Sequence, residues 1–312
     1  MQTRHAGSTG LIVSRLALGT MTWGLGTDAM EAGAQLASFR EAGGTLVDTA
    51  AGYGGGAAEQ ILGDLMNSSA ADDLVVATKA GISRRTGERV IDTSRRGLLD
   101  ALDGSLRRLG RDHVDLWQVH AWGNAPLDET LSALDGAVAT GRARYVGISN
   151  FNAWQTAAAG TWQRAWPGRT PLASTQMEYS LLRRAVETDV IPACRHLGLG
   201  LLVWSPLAGG VLTGKYTGGI PASSRGASDE WRARVSGYLD ERGAAVVDAV
   251  TTAADGLGVT PQAVALAWVR DRPGVTAAVV GARTAAQLSA SLDAERLELP
   301  AAIGAALDDV SN

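Results

Sequence analysis

Leu74-Val75-Val76-Ala77-Thr78-Lys79 is a short apolar run that ends on a lysine. The same design recurs to either side of it, in Leu46-Val47-Asp48 and in Leu116-Trp117-Gln118-Val119-His120. Brief runs of this kind read as strands buried on both faces, and longer stretches with helical spacing separate them. Working outward, the candidate strands are Leu16–Leu18, Thr45–Asp48, Leu74–Thr78, Val114–Val119, Ala143–Ile148, Ser174–Glu178, Gly200–Trp204 and Ala277–Val280. Helix-like segments include Met30–Ala42, Thr93–Leu109, Leu127–Ala139 and Glu187–His196, with start signals at Asp92 or Thr93, Pro126 and Pro261. Strand and helix in alternation imply parallel pairing, because a parallel connection needs a crossover. Eight such units make an α/β chain with a closed (β/α)8 TIM barrel the expected fold, as one domain over residues 1–312. Two segments stand outside the repeat. Residues 4–14 read as an N-terminal β-hairpin with Gly10 in or near its turn. Residues 213–245 read as a long loop insertion after the seventh strand, rich in Gly, Ser and charge, with Trp231 and Tyr238 expected to be exposed.

Composition narrows the function classes. Hydrophobic residues make up 46% and charged residues 19%, the balance of a folded chain. The net charge of −4, without a dense Lys/Arg tract, argues against nucleic acid or an anionic membrane as partner. The one cysteine, Cys194, precludes an intramolecular disulfide and reads as a small core residue rather than a nucleophile. No apolar run approaches the roughly 20 residues of a spanning helix. Met1-Gln2-Thr3-Arg4-His5 lacks the apolar core of a signal peptide, so a cytoplasmic location is expected.

Three successive strands end in ionisable residues: Asp48, Lys79 and His120, with Tyr53 in the loop just after the first. In a parallel barrel these ends converge on the face where barrel enzymes do chemistry. A tyrosine hydroxyl, with a pKa near ~10, releases its proton reluctantly, and a neighbouring ammonium is expected to lower that value. An aspartate would keep the lysine charged and oriented, and a histidine could hydrogen-bond and position a carbonyl oxygen. The cluster is a proton donor aimed at a developing alkoxide. Singly, each residue has an ordinary reading: a turn former, a snorkelling lysine, a core histidine, a loop aromatic. Their occurrence in strand order is what points to a site.

With these residues the chain resembles the aldo-keto reductase family. The likeness rests on Asp48-Thr49-Ala50 with Tyr53-Gly54 and Glu59, on Thr78-Lys79 and on His120. It extends through Gly147-Ile148-Ser149-Asn150-Phe151, Gln176-Met177-Glu178-Tyr179, the run Trp204 to Tyr216, Gly281-Ala282-Arg283-Thr284 and Gln287. The resemblance implies NADPH-dependent reduction of an aldehyde or ketone, or the reverse oxidation, with Tyr53 as general acid/base, Asp48 and Lys79 tuning it and His120 orienting the carbonyl. It assigns Gly19, Thr20, Met21, Asp48, Ser149, Asn150, Gln176, Trp204, Ser205, Pro206, Leu207, Ala208, Gly209, Lys215, Arg225, Gly281, Arg283, Gln287 and Ser291 to NADP(H). An arginine such as Arg283 can grip a phosphate bidentately and favours NADPH over NADH. Ala58 stands where the family often has serine, and Ser291 where it commonly has asparagine. Trp23, Trp122 and Trp231, with Tyr53 and His120, are expected to face a small-molecule substrate of apolar or aromatic character.

Rival readings are weaker. Gly52-Tyr53-Gly54-Gly55-Gly56-Ala57, with Asp72 and Asp73 further on, matches a dinucleotide fingerprint, but it follows the second strand after a gap rather than turning directly into a helix. His5, His113, His120 and His196 have no metal-ligand spacing, so no metal is expected. The alternative of another class is a regulatory subunit of the same fold that binds NADPH with little or no turnover.

Overall fold

The computed structural model describes residues 1–69, 73–83, 88–222 and 224–312. Eight strands close into a parallel barrel: β1 (Leu16–Gly19), β2 (Leu46–Asp48), β3 (Val75–Ala80), β4 (Val114–Val119), β5 (Ala143–Ser149), β6 (Leu172–Glu178), β7 (Gly200–Trp204) and β8 (Val275–Gly281). Each pairs with the next in sequence, and β8 returns to β1 through Val280 opposite Leu18 and Gly281 opposite Gly19. The expected (β/α)8 barrel is the observed fold. Predicted and observed barrel strands differ only at their ends, and a short antiparallel pair, Ile82–Ser83 with Val90–Ile91, is not among the expected strands.

The helices are α1 (Ala29–Glu41), α2 (Ala57–Ser69), α3 (Arg95–Leu109), α4 (Leu127–Ala139), α5 (Ala153–Arg164), α6 (Val190–Leu197), α7 (Asp229–Ser236), α8 (Glu241–Leu257), α9 (Pro261–Arg270), α10 (Ala285–Leu292) and α11 (Ala301–Ser311). Side-chain caps mark the starts of α1, α3, α5, α8, α9 and α10. Asn152 and Gln155 form a reciprocal capping box at α5, and Thr260 caps α9 ahead of Pro261. At α3 the cap is Ser94 rather than Thr93 or Asp92; Asp92 instead accepts from the Ser94 amide at 3.0 Å.

Side chains on a strand alternate faces, which sorts each barrel strand into two sets. Outward residues such as Leu18, Val47, Val76, Trp117, Ile148 and Val203 pack beneath the helices with Leu36, Phe39, Leu62 and Leu102. Inward residues Leu46, Ala77, Leu116 and Leu202 join Ala6, Leu11 and Val13 of the hairpin in a separate cluster. The hairpin, Thr3–His5 against Ile12–Ser14, therefore stoppers the N-terminal end of the barrel. Gly10 lies in its connection as expected, and the left-handed residue there is Gly7: φ is +60°, and a Cβ would stand 2.2 Å from the Gly198 carbonyl. Two residues beyond Leu46, Ala77 and Leu202 on the same inner face come Asp48, Lys79 and Trp204.

The insertion is more ordered than a loop. It contains a 3-10 turn at Arg225–Ala227 and α7, and residues 241–245 open α8. Tyr238 is 3% exposed, contrary to expectation, and Trp231 is half-buried. Of the fingerprint acids, Asp72 lies outside the described residues, while Asp73 pairs with Arg40 at 3.0 Å on the surface. Gly54 and Gly55 sit in a 3-10 turn between β2 and α2 of a barrel, not in a dinucleotide-binding unit. Among the described residues no helix is long and apolar enough to cross a membrane.

Candidate active site

The C-terminal ends of β2 and β3 bring Asp48 and Lys79 into a buried ion pair. Lys79 Nζ donates to the two Asp48 oxygens at 2.8 and 2.7 Å, to the Thr49 carbonyl at 2.8 Å and to the Tyr53 hydroxyl at 3.5 Å. The three ammonium protons thus have a carboxylate, a carbonyl and a phenol to serve. Gln176 Nε2 donates to Asp48 Oδ1 at 2.7 Å, tying the end of β6 to the pair. Burial opposes charge on Lys79, yet Asp48 and Tyr53 outweigh it and hold the ammonium above the ordinary lysine value. Beneath this array Glu59, fully buried, accepts from Thr78 at 2.5 Å and from Arg108 at 2.6 and 2.8 Å. Nothing in the sequence links Arg108 to Glu59, because they meet only when α2 and α3 pack side by side.

Tyr53 opens the 3-10 turn after β2, and its ring meets the His120 ring edge-on at 5.9 Å. Burial pushes its hydroxyl above the ordinary phenol value, and the downward pull of Lys79 does not reverse this. The expected lowering is therefore corrected: Asp48 neutralises much of the ammonium field, so desolvation wins. Burial, then the charges of Lys79 and Arg89, lower the His120 pKa to about 3, leaving a neutral imidazole at physiological pH. Its Nδ1 is buried with no hydrogen-bond partner among the described residues.

The rim from β5 to β7 carries three non-glycine residues in the left-handed region: Asn150 (φ +59°), Ser205 (φ +55°) and Ala208 (φ +48°). Such strain gathers where backbone must serve a site. Ser149 donates to the Gln176 carbonyl at 3.0 Å, and Asn150 Nδ2 to the His120 carbonyl at 2.9 Å. Trp204 Nε1 donates to Asn150 Oδ1 at 3.0 Å. Ser205 Oγ accepts from the Gly209 amide at 3.2 Å; Pro206 and Ala208 are buried, and Leu207 is partly so. Opposite them, the Thr20 amide and hydroxyl bond the Asp48 carbonyl at 3.0 and 3.2 Å, beside Gly19 and a half-buried Met21.

Further round the rim, three cations act on one another. Burial and the charges of Arg225 and Arg283 lower the Lys215 pKa, and burial and Arg283 lower that of Arg225. Like charges gathered in this way suit an anion between them. A Cβ at Gly210 would stand 2.6 Å from Lys215 Nζ, while one at Gly281 would be at an ordinary contact distance from Arg225. A phosphate-bearing cofactor fits this cradle. Gln287, exposed on α10, accepts from the Arg283 amide at 3.1 Å. Ser291 does not join the rim: it is 5% exposed and its hydroxyl turns back to the Gln287 carbonyl at 2.9 Å.

Of the aromatic residues expected at the substrate, Trp122 is half-buried and meets Phe151 and Trp154 edge-on at 5.1 and 5.0 Å. Trp231 stacks near Arg225 at 5.4 Å. Trp23 is corrected: it is fully buried under α1, its indole N–H donating to Gln35 at 3.0 Å, so it offers no face to a substrate. Sequence reading missed Trp154, which stands 61% exposed on the first turn of α5, and Glu178, the partner of Arg234 at 2.6 Å. Cys194 is buried, and burial pushes its thiol up to about 12, in keeping with a core role. Among the described residues no group of three or more His, Cys, Asp or Glu could hold a metal ion.

A family model described as "Aldo/keto reductase family" matches residues 15–312. The chain is similar to "Uncharacterized oxidoreductase YrpG" of Bacillus subtilis (strain 168), 35% identical over 99% of this chain and 96% of that protein. It is similar to "Probable voltage-gated potassium channel subunit beta" of Oryza sativa subsp. japonica, 35% identical over 94% of this chain and 91% of that one. "L-glyceraldehyde 3-phosphate reductase" of Escherichia coli (strain K12) is also 35% identical, over 94% of this chain and 87% of its own.

Proposed function

The chain belongs to the aldo/keto reductase family, and from that premise we propose that it reduces an aldehyde or ketone to an alcohol, or runs the reverse oxidation, with NADP(H) and with Tyr53 as general acid/base. The observation that carries this reading is the buried Asp48–Lys79–Tyr53 array beside His120. A bound nicotinamide supplies or accepts the hydride. The chain's own residues bind, orient and move the proton. Tyr53, kept neutral by burial, donates from its hydroxyl to the oxygen that gains charge. Lys79, held by Asp48 and Thr49, keeps its ammonium toward that hydroxyl and stabilises the phenolate left behind. His120, neutral, hydrogen-bonds the carbonyl oxygen and aims it at Tyr53.

Ser149, Asn150 and Gln176 would hold the carboxamide and ring of the cofactor. The Trp204–Gly209 turn and Lys215 would follow its pyrophosphate, and Arg225 and Arg283 would take the adenosine-side phosphate that distinguishes NADPH. Trp122 and Trp231 would flank an apolar or aromatic substrate. Following NADPH consumption against a panel of small aldehydes and ketones, glyceraldehyde 3-phosphate included, tests the reading directly. A native protein that never binds NADPH overturns it.

A second reading is a cofactor-binding subunit with little turnover, favoured by relatives named as probable potassium channel β subunits. It predicts tight NADPH binding with no reduction anywhere in the panel.

A further inference from the structure

Glu178 takes no part in the mechanism above, yet it is the meeting point of the insertion and the barrel mouth. It ends β6, two residues past Gln176. Its carboxylate accepts from Arg234 at 2.6 Å and from the Tyr238 hydroxyl, both brought by α7 and the turn that follows it. The Arg183 guanidinium lies on the Tyr238 ring, 5.3 Å from its centroid. The Arg234 guanidinium lies over the Trp204 indole, 4.3 Å from the ring centroid, and Trp204 is the register partner of Glu178 on β7. Pairing with the Glu178 carboxylate and stacking on the indole together hold the Arg234 guanidinium in one place. From the same indole the N–H reaches Asn150 Oδ1 at 3.0 Å. The Asn150 amide in turn holds the His120 carbonyl at 2.9 Å and the Ser149 hydroxyl at 3.1 Å. Asn150 stands in the left-handed region at φ +59°, a conformation that persists only while its surroundings over-determine it.

We propose that Glu178 is a positioning residue: it docks α7 on the barrel and, through Arg234 on Trp204, fixes the Asn150 side chain that holds the His120 backbone. The α7 segment is then part of the site's framework. This inference rests on the reading above for the roles of Asn150 and His120.

Hydrogen exchange on the full chain without added cofactor tests it, comparing native protein with Glu178→Gln, Trp204→Phe and the double variant. Glu178→Gln lowers protection by on the order of tenfold in α7 and also in residues 149–152, a coupling of ordinary allosteric size. Trp204→Phe, which removes the indole N–H, loosens residues 149–152, and adding Glu178→Gln to it loosens them no further. Loosening of α7 alone, or additive effects at residues 149–152, would overturn the proposal and leave Glu178 a simple clip. If Glu178→Gln does not fold, Arg234→Lys takes its place with the same expectations. NADPH titration adds a second readout: Glu178→Gln weakens binding about tenfold. Unchanged NADPH binding counts against the proposal. Failure of the native protein to bind NADPH overturns the cofactor reading instead, and the exchange result still decides the role of Glu178.

Discussion

Lys79 Nζ lies 2.7 Å from one Asp48 oxygen and 2.8 Å from the other, but 3.5 Å from the Tyr53 hydroxyl. The ammonium is committed first to the carboxylate and faces the phenol with what remains. Both charged side chains are almost wholly buried, so removing one leaves the other uncompensated. Asp48→Asn is expected to cost about 3–5 kcal/mol of stability, read from urea unfolding. Near-native stability in that variant would contradict a tightly coupled pair.

Acid stability follows from His120. Its pKa falls from 6.5 to about 3 on folding, so between those values the unfolded chain binds a proton that the folded chain refuses. This contribution is fully present above about pH 6.5 and drains away as the pH falls toward 3. Thermal melts from neutral to acidic pH should show Tm falling less steeply for His120→Gln than for the native chain. An equal or steeper fall in the variant would count against the depressed value.

In the proposed function, cofactor choice falls to the Lys215, Arg225 and Arg283 cradle. Arg283→Ala should weaken NADPH roughly ten- to hundredfold and NADH far less, the size expected for one charge-assisted contact. Fluorescence titration with both nucleotides measures the ratio. An equal loss for the two would place Arg283 away from the distinguishing phosphate.

Trp23 and Trp122 separate by position. Trp23→Phe leaves the Gln35 acceptor unpaired in the core and should cost about 1–3 kcal/mol without reordering substrates. Trp122→Ala should change the ranking of aldehydes by kcat/KM. A panel ranked alike by native protein and Trp122→Ala would remove that side chain from the substrate wall.

Much of this was legible in the sequence because a barrel strand carries its own address. Alternation put Asp48 and Lys79 on the inner face two residues beyond Leu46 and Ala77, and parallel pairing brought the strand ends together. What escaped depends on packing between segments distant in the chain. Ser291 has the spacing of a rim residue, but a serine hydroxyl reaches no further than its own helix carbonyl. Trp23 sits beside Gly24 and exposed Leu25, which makes it look like a loop aromatic, and only the placement of Gln35 on α1 explains its burial. The short, charge-rich α7 has too few apolar positions to announce a helix; Arg234 and Tyr238 acquire meaning only beside Glu178. The direction of the Tyr53 shift is not legible from one neighbouring charge, because the desolvation that accompanies burial outweighs it.

The most direct measurement is turnover and NADPH binding by Tyr53→Phe beside the native protein. The account predicts that the variant binds NADPH as the native chain does and loses about 10²–10⁴-fold in carbonyl reduction, the usual worth of a positioned proton donor. A variant that still reduces carbonyls at close to the native rate would contradict Tyr53 as the proton donor, and with it the central claim.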